Sequence, residues 1–267
     1  MNLIGMLLAA AVVGITGLII GLLLGVAGKK FKVEVDEREF LVRDLLPGNN
    51  CGGCGYAGCD ALAKAIANGE AEVNACPVGG EEVAKQIGEI MGVTSMENEK
   101  KVAFVKCAGT CELAGTKLSY YGIQDCQAAA VTPGQGEKAC IYGCMGFGSC
   151  VAACPFHAIQ LVDGIAKVDK EKCVACGKCV STCPKGLIEL VPYEARYLVR
   201  CNSKEKGKVV KAACDAGCIG CGLCTRVCEE GAVTVTDNLA YIDQELCIGC
   251  GKCAEKCPVH VIHSMAE

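Results

Sequence analysis

The chain has 267 residues and a formal net charge of −4 at pH 7. It contains 25 Cys and 34 Gly but only 5 Phe, 7 Tyr and no Trp, which excludes a large aromatic core. The slightly acidic balance argues against a nucleic-acid-binding protein, and the cysteine density indicates that bound metal or disulfide bonds stabilise the folded parts.

The first 28 residues are uncharged and predominantly apolar. About 20 apolar residues suffice to cross the hydrocarbon core of a bilayer, so residues 1–28 are predicted to form a transmembrane helix. No Lys or Arg precedes this segment, whereas Lys29 and Lys30 follow it, which predicts a single-pass protein of the cell membrane with its bulk in the cytoplasm. Thiols stay reduced there, which favours metal binding over disulfide bonds.

Three glycines in this helix recur every fourth residue and would give a partner helix a smooth face for close packing. They are Gly17, Gly21 and Gly25. One helix cannot enclose an ion path, so we expect the chain to be a subunit of a larger membrane complex.

Residues 29–90 are predicted to contain a small [4Fe-4S] module, which begins after a short charged connector at residues 31–48. Its cysteines follow a C-x2-C-x4-C-x16-C pattern, in which glycines let the backbone fold tightly around a cluster. A helix from Asp60 would return the chain and bring the last cysteine under the cluster. The four candidate ligands are Cys51, Cys54, Cys59 and Cys76. A structural zinc site is the alternative.

An internal repeat organises the C-terminal half, because the cysteines from Cys140 to Cys183 recur 74 positions later, from Cys214 to Cys257, without a gap. Each copy is predicted to be a ferredoxin-like unit with two [4Fe-4S] clusters. Three cysteines, each separated from the next by two residues, and a fourth that precedes a proline are the typical ligands of such clusters. A short hairpin is expected inside each copy. The units span residues 139–192 and 213–267, after a cysteine-containing connecting region at 91–138 and with a connector at 193–212.

Crossed ligation is expected in the second unit, because the fourth cysteine of each motif reaches the other cluster. The predicted sets are Cys218, Cys221, Cys224 and Cys257, and Cys228, Cys247, Cys250 and Cys253.

The first unit departs from this pattern, because Phe147 stands where the second unit has Cys221. Cys140 is the nearest substitute thiol, and a three-cysteine cluster with an open or non-cysteine corner is the alternative. The predicted sets are Cys140, Cys144, Cys150 and Cys183, and Cys154, Cys173, Cys176 and Cys179.

Five cysteines remain without a predicted cluster: Cys107, Cys111, Cys126, Cys201 and Cys214. Such residues could be inert, but four of them could also hold a sixth cluster. The sequence therefore predicts at least five [4Fe-4S] clusters and leaves a sixth open. Together these elements indicate an α+β protein with one N-terminal transmembrane helix, a small [4Fe-4S] module and two tandem ferredoxin-like units.

The predicted function is electron transfer from a soluble low-potential donor to partners at the membrane. No stretch is typical of a flavin, nicotinamide or nucleophile site, so no catalytic residue is assigned, and neither nucleic acid nor direct NAD binding is expected.

The order of these parts resembles the B subunit of the Rnf electron transport complex, the membrane ferredoxin:NAD+ oxidoreductase, in its long form with a doubled ferredoxin unit. The resemblance covers nearly the whole chain. It implies a subunit of a translocase-type oxidoreductase in which reduced ferredoxin is the donor, other subunits carry flavins and the NAD site, and the complex moves Na+ or H+ outward. It also implies that the module from Cys51 to Cys76 feeds membrane-embedded partners.

Two alternatives are kept open. One is a membrane-tethered polyferredoxin subunit of another redox complex, such as a hydrogenase, which the identity of co-purifying subunits would distinguish. The other is a non-redox zinc scaffold, which a colourless preparation would favour.

Overall fold

The computed structural model describes residues 3–30, 36–94 and 99–265. Helix α1 spans Leu3–Lys30, and its window Ala11–Gly28 has a mean hydropathy of 2.3 with none of it buried. The helix is therefore long and apolar enough to cross a membrane. Gly17, Gly21 and Gly25 face open space, because a Cβ added at any of them would meet no atom within 4 Å.

Three helices form the N-terminal module around one small apolar core. Val42, Leu62 and Ile87, one from each helix, are at most 1% exposed. Their ranges are α2 Glu37–Leu45, α3 Cys59–Ala67 and α4 Gly80–Met91.

The connector predicted at residues 31–48 is therefore wrong from Asp36 onward, while residues 31–35 lie outside the described residues. Asp36 caps α2 by accepting a hydrogen bond from the Arg38 backbone N–H at 2.9 Å, and Val42 and Leu46 are buried. A short charged helix with two apolar anchors gives a weak sequence signal, because most of its surface stays in water.

The first ferredoxin-like unit contains the predicted hairpin and one strand from outside its predicted limits. The hairpin turns at Asp163 and Gly164, with φ of 51° and 74°, as a two-residue type I′ turn requires. The first strand pairs antiparallel with the last, with Ala103 opposite Leu190, so it belongs to this unit and not to a connecting region. The elements are β1 Lys101–Val105, α5 Cys126–Ala130, α6 Ser149–Ala152, β2 Ile159–Val162, β3 Ile165–Val168, α7 Lys178–Thr182 and β4 Ile188–Pro192.

The second unit repeats this architecture and contains most of the predicted connector at 193–212. Its first strand pairs with its last, with Val199 opposite Ile262, and Val199 packs in the same buried core as Ile242. The elements are β5 Tyr197–Val199, α8 Gly207–Ala213, α9 Leu223–Val227, β6 Val233–Thr236, β7 Leu239–Ile242, α10 Lys252–Glu255 and β8 Ile262–Ser264. The predicted α+β class is confirmed.

Candidate iron–sulfur sites

Three cavities in the ferredoxin-like units are each lined by four cysteines, in the sets that the spacing predicts. We name each cavity by its first cysteine. The Cys154 cavity is lined by Cys154, Cys173, Cys176 and Cys179, the Cys218 cavity by Cys218, Cys221, Cys224 and Cys257, and the Cys228 cavity by Cys228, Cys247, Cys250 and Cys253.

Left-handed glycines place the third cysteine of each motif. Gly177 and Gly251, with φ of 74° and 77°, stand at the N-caps of α7 and α10, whose buried Cys179 and Cys253 turn inward. A residue with a Cβ would be strained in this conformation, so glycine lets the chain pass from the extended loop directly into the helix.

The structure places Cys126, and not the predicted Cys140, beside the other cysteines predicted for the site at Phe147. Cys126 shares a cavity with three of the predicted ligands, and we name it the Cys126 cavity: Cys126, Cys144, Cys150 and Cys183. The reason lies in α5, because the backbone N–H of Cys126 donates to Ser149 Oγ at 2.7 Å and the Ser149 hydroxyl donates to Asp125 at 2.6 Å. Asp125 also caps α5 through the N–H groups of Gln127 and Ala128.

Cys140 instead lines a cavity of about 150 Å³ between the two ferredoxin-like units. We name it the central cavity, and its four cysteines are Cys107, Cys140, Cys201 and Cys214. A Cβ added at Gly109 would lie 3.2 Å from Cys214 Sγ and 3.8 Å from Cys107 Sγ, so two of these sulfurs lie close to one backbone position.

Backbone hydrogen bonds join the two units beside the central cavity. Gly115 N–H donates to Ala213 O at 3.0 Å, and Asp215 N–H donates to Leu113 O at 2.8 Å. The loop that follows β1 is thereby fixed against the start of the second unit. Of the five cysteines without a predicted cluster, only Cys111 lies outside both this cavity and the Cys126 cavity; it is exposed and packs against Gly164.

In the N-terminal module, Cys59 is buried, and Cys54 and Cys76 pack against the same core. Asn50 Oδ1 accepts a hydrogen bond from the Cys59 N–H at 2.8 Å, and Gly79 N–H donates to Cys76 Sγ at 3.4 Å. Burial raises the pKa of Cys76, and the neighbouring thiols Cys54 and Cys59 raise it further. These three cysteines therefore lie close together.

Cys51 lies on the side of the module that faces the Cys154 cavity. Burial raises the pKa of Cys176, and Cys51 is among the thiols that raise it further. The backbones also touch, because a Cβ added at Gly53 would lie only 2.7 Å from Cys176 O.

The donor set of these cavities fits a sulfur-ligated metal cluster. Each site offers four thiols, and backbone N–H groups donate to the sulfurs of Cys173, Cys107 and Cys201 at 3.3–3.4 Å. Burial raises the pKa of Cys150 to about 12 and that of Cys201 to about 11, so without a metal these thiols are protonated at neutral pH. Bound iron would displace the protons, as metal coordination does.

In the described parts of the chain, no three His, Cys, Asp or Glu side chains converge closely enough to hold a single metal ion. The cysteines surround open cavities instead.

The contacts between sites give them an order along the molecule. The N-terminal module touches the Cys154 cavity, which shares the first unit with the Cys126 cavity. Cys144 N–H of the Cys126 cavity donates to Cys107 Sγ of the central cavity at 3.4 Å. On the other side, Cys201 Sγ of the central cavity accepts a hydrogen bond from the N–H of Cys218, which lines the Cys218 cavity.

Four family models match this chain, and all of them describe Fe–S proteins. The Fe-S cluster model matches residues 46–78 and the LdpA Fe-S cluster-binding domain matches 149–194. Two 4Fe-4S binding domain models match residues 215–231 and 240–263. With the cysteine-lined cavities, they define an iron–sulfur electron-transfer protein that binds [4Fe-4S] clusters.

The chain also has curated relatives that match nearly its whole length. It is 47% identical to the B subunit of the Na(+)-translocating ferredoxin:NAD(+) oxidoreductase complex of Acetobacterium woodii, over 98% of this chain and 78% of that one. It is 44% identical to the B subunit of the ion-translocating oxidoreductase complex of Methanosarcina acetivorans, over 94% and 96%. The proton-translocating counterpart of Clostridium ljungdahlii is 44% identical, over 99% and 94%.

The chain therefore belongs to the family of B subunits of the ion-translocating oxidoreductase, or Rnf, complex. The resemblance inferred from the order of its motifs is confirmed. So is the predicted role as an iron–sulfur electron-transfer subunit, and the apolar helix α1 is compatible with a membrane anchor.

Proposed function

We propose that the chain holds six [4Fe-4S] clusters, one in each set of four cysteines. The observation that carries this proposal is that the six sets use every one of the 25 cysteines except Cys111. The sets are those of the N-terminal module (Cys51, Cys54, Cys59 and Cys76) and of the Cys154, Cys126, central, Cys218 and Cys228 cavities. A bound [4Fe-4S] cluster supplies one-electron redox chemistry without a change of its ligands.

The residues of the chain hold these sites in one continuous row. Glycine at position 53 lets the module approach Cys176 closely, and the N–H groups of Cys144 and Cys218 donate to sulfurs of the central cavity. Donated hydrogen bonds favour the more negative form of a sulfur ligand and so tune the potential of its site.

The two ends of the row have different surroundings. The N-terminal module follows the membrane helix, so we assign it to delivery of electrons to membrane partners. The Cys228 cavity shares the second unit with the Cys218 cavity and is last in this order; there Cys250 is exposed and Ile248 is 59% exposed. We assign this end to contact with the soluble donor.

Reduced ferredoxin is the proposed donor, since the relatives from A. woodii and C. ljungdahlii are named as parts of ferredoxin:NAD(+) oxidoreductase complexes. Other subunits would carry the flavins and the NAD site, and the assembled complex would move Na+ or H+ outward. Lys29 and Lys30 after the apolar segment support a cytoplasmic location for the remainder of the chain.

The test is anaerobic purification from the native membrane, with iron and labile-sulfide analysis and identification of the attached chains. We expect six clusters per chain, reduction of the isolated chain by reduced ferredoxin, and no NAD reduction without the other subunits. Hydrogenase chains among the co-purifying subunits would contradict the Rnf assignment, and a protein without labile sulfide would contradict the cluster assignment.

A further inference from the structure

Positively charged side chains surround the central cavity. Lys106, Lys138 and Arg200 line it, and Glu205 is the one acidic residue among its described lining residues. All three cations are half-buried, where charges interact more strongly than in water. Lys106 forms an ion pair with Glu189 at 3.0 Å, so its charge is largely compensated.

Lys138 lies next to the cavity, and the described part of the chain gives it no acidic partner. Its Nζ donates to Gly109 O at 2.7 Å and to Gly164 O at 2.8 Å, and both acceptors are neutral carbonyls. Gly109 is also the residue whose Cα faces the sulfurs of Cys214 and Cys107. The ammonium group is thus held one backbone group away from two of the four sulfurs.

Arg200 precedes Cys201 in the chain and also lines the cavity. Its backbone carbonyl accepts a hydrogen bond from the Ala108 N–H at 2.9 Å, so Arg200 lies beside the loop that carries Cys107. Neither Lys138 nor Arg200 takes part in an ion pair among the residues that the structure describes.

The other cavities of the ferredoxin-like units have less positive linings. No charged side chain lines the Cys218 cavity, and the Cys228 cavity is lined by Glu229, Glu230 and Lys252, of which Lys252 is paired with Glu229 at 2.5 Å. One lysine lines each of the two remaining cavities, Lys185 in the Cys126 cavity and Lys178 in the Cys154 cavity.

We propose that Lys138 and Arg200 give the central site the highest reduction potential of the five sites in the ferredoxin-like units. The proposal rests on the proposed function, since it requires a cluster held by Cys107, Cys140, Cys201 and Cys214. Reduction by the low-potential donor adds one electron, and so one negative charge, to this site without breaking a bond. Nearby uncompensated cations stabilise that added charge and raise the potential.

An electron on the chain is then held at the junction of the two units when the donor is limiting. The central site would be the first to become reduced in a titration. Lys138 and Arg200 act on the site through charge, as positioning residues that bind no cluster atom themselves.

The experiment is a redox titration of the full chain, followed by electron paramagnetic resonance. Cys201→Ala first identifies the spectral component of the central site by its loss. Lys138→Gln and Arg200→Gln remove one positive charge each, whereas Lys138→Arg keeps the charge and a hydrogen-bond donor. Lys252→Gln is the matched control at the Cys228 cavity. Iron and sulfide analysis of each variant reports whether all clusters are retained.

We expect the central component to be reduced first in the wild type. In Lys138→Gln and in Arg200→Gln, its ratio of reduced to oxidised form at a fixed potential should fall at least tenfold, which is 59 mV for a one-electron couple. Lys138→Arg should retain the wild-type ratio, and Lys252→Gln should leave this component unchanged.

If Lys138→Gln loses iron, Arg200→Gln decides by the same measurement. Unchanged potentials in fully loaded variants, or a central component that is reduced after the others, would overturn the tuning proposal while leaving six clusters in place. A Cys201→Ala variant with wild-type iron and sulfide would instead contradict the six-cluster assignment.

Discussion

Cys140 and Cys214 are equivalent positions of the 74-residue repeat, and both line the central cavity. The other two cysteines are also related, because Cys107 and Cys201 each stand two residues after the first strand of their unit. The cavity therefore takes two cysteines from each unit, Cys107 and Cys140 from the first and Cys201 and Cys214 from the second. Two units that fold alike thus complete a site that neither contains alone.

Loss of one central cysteine should remove the central cluster only. In Cys140→Ala we expect a loss of about one sixth of the bound iron, because the central cluster then lacks one of the ligands that hold it between the two units. The same loss is expected in Cys214→Ala, and the double variant should lose no more than either single one. Iron and sulfide per chain measure this, with Cys111→Ala as the control that keeps full content. Wild-type iron in Cys140→Ala would refute the assignment of this cysteine to any cluster.

Cys126 is expected to be the fourth ligand of the site at Phe147. Cys126→Ala should lose the cluster of Cys144, Cys150 and Cys183 or convert it to a three-iron form, and electron paramagnetic resonance separates the two results. Ser149→Ala removes only the hydrogen bonds that position α5, so it should keep the iron and cost about 1 kcal/mol of stability. Full retention of the wild-type spectrum in Cys126→Ala would rule this ligand out.

The sequence predicts the sites whose ligands are close together along the chain. It does not predict the site whose ligands are brought together by the pairing of distant strands. Motifs such as Cys247, Cys250 and Cys253 fix their own geometry, since two-residue spacing and a left-handed glycine wrap the chain around one cavity. Cys107 and Cys201 depend on β1 and β5, and the sequence does not show with which distant strands these two pair.

The error at Cys140 has a related cause. Proximity in sequence made Cys140 the natural substitute for the thiol missing at Phe147, but α5 is brought there by Asp125 and Ser149, which are 24 residues apart. The repeat did contain a useful signal, because Cys214 is equivalent to Cys140 and had no place in the second unit. Because Cys214 is outside the two predicted sets of the second unit, the equivalent Cys140 is also a candidate for a site outside its own unit.

The close contact of Gly53 with Cys176 should be required for docking of the N-terminal module. Gly53→Ala places a Cβ 2.7 Å from a backbone oxygen that cannot move easily, and such overpacking costs about 1–3 kcal/mol. We expect slower reduction of the module and faster proteolysis between the module and the first unit. Gly115→Ala is the control, because its added Cβ would make only ordinary contacts at 3.7 Å. Identical behaviour of the two variants would argue against a docking role.

The glycine face of α1 should be needed for assembly with membrane partners. Gly21→Ile fills the face between Gly17 and Gly25, so we expect fewer co-purifying membrane subunits and an unchanged iron content of the chain. Leu23→Ile alters the opposite face and should co-purify normally. Equal yields of the complex from both variants would show that this face is not used.

The folded chain without its clusters should become less stable as the pH rises. In the metal-free chain, burial raises the pKa of Cys150 from 9.0 to about 12 and that of Cys224 to about 11, because the charged thiolate is poorly solvated there. A raised folded-state pKa gives stability that is present below pH 9 and lost as the pH rises toward these values. Thermal unfolding of the reduced chain, measured at a series of pH values after a chelator has removed the iron, reports this loss of stability.

Reconstitution with iron and sulfide should show the opposite dependence on pH, because each ligand must release its proton to the solvent. We expect the iron bound at limiting iron concentration to increase several-fold from about pH 6 to about pH 8. The loaded chain should resist unfolding across this range, since the bound metal has already replaced the protons. Iron binding that is independent of pH would contradict a site made of neutral thiols that ionise on coordination.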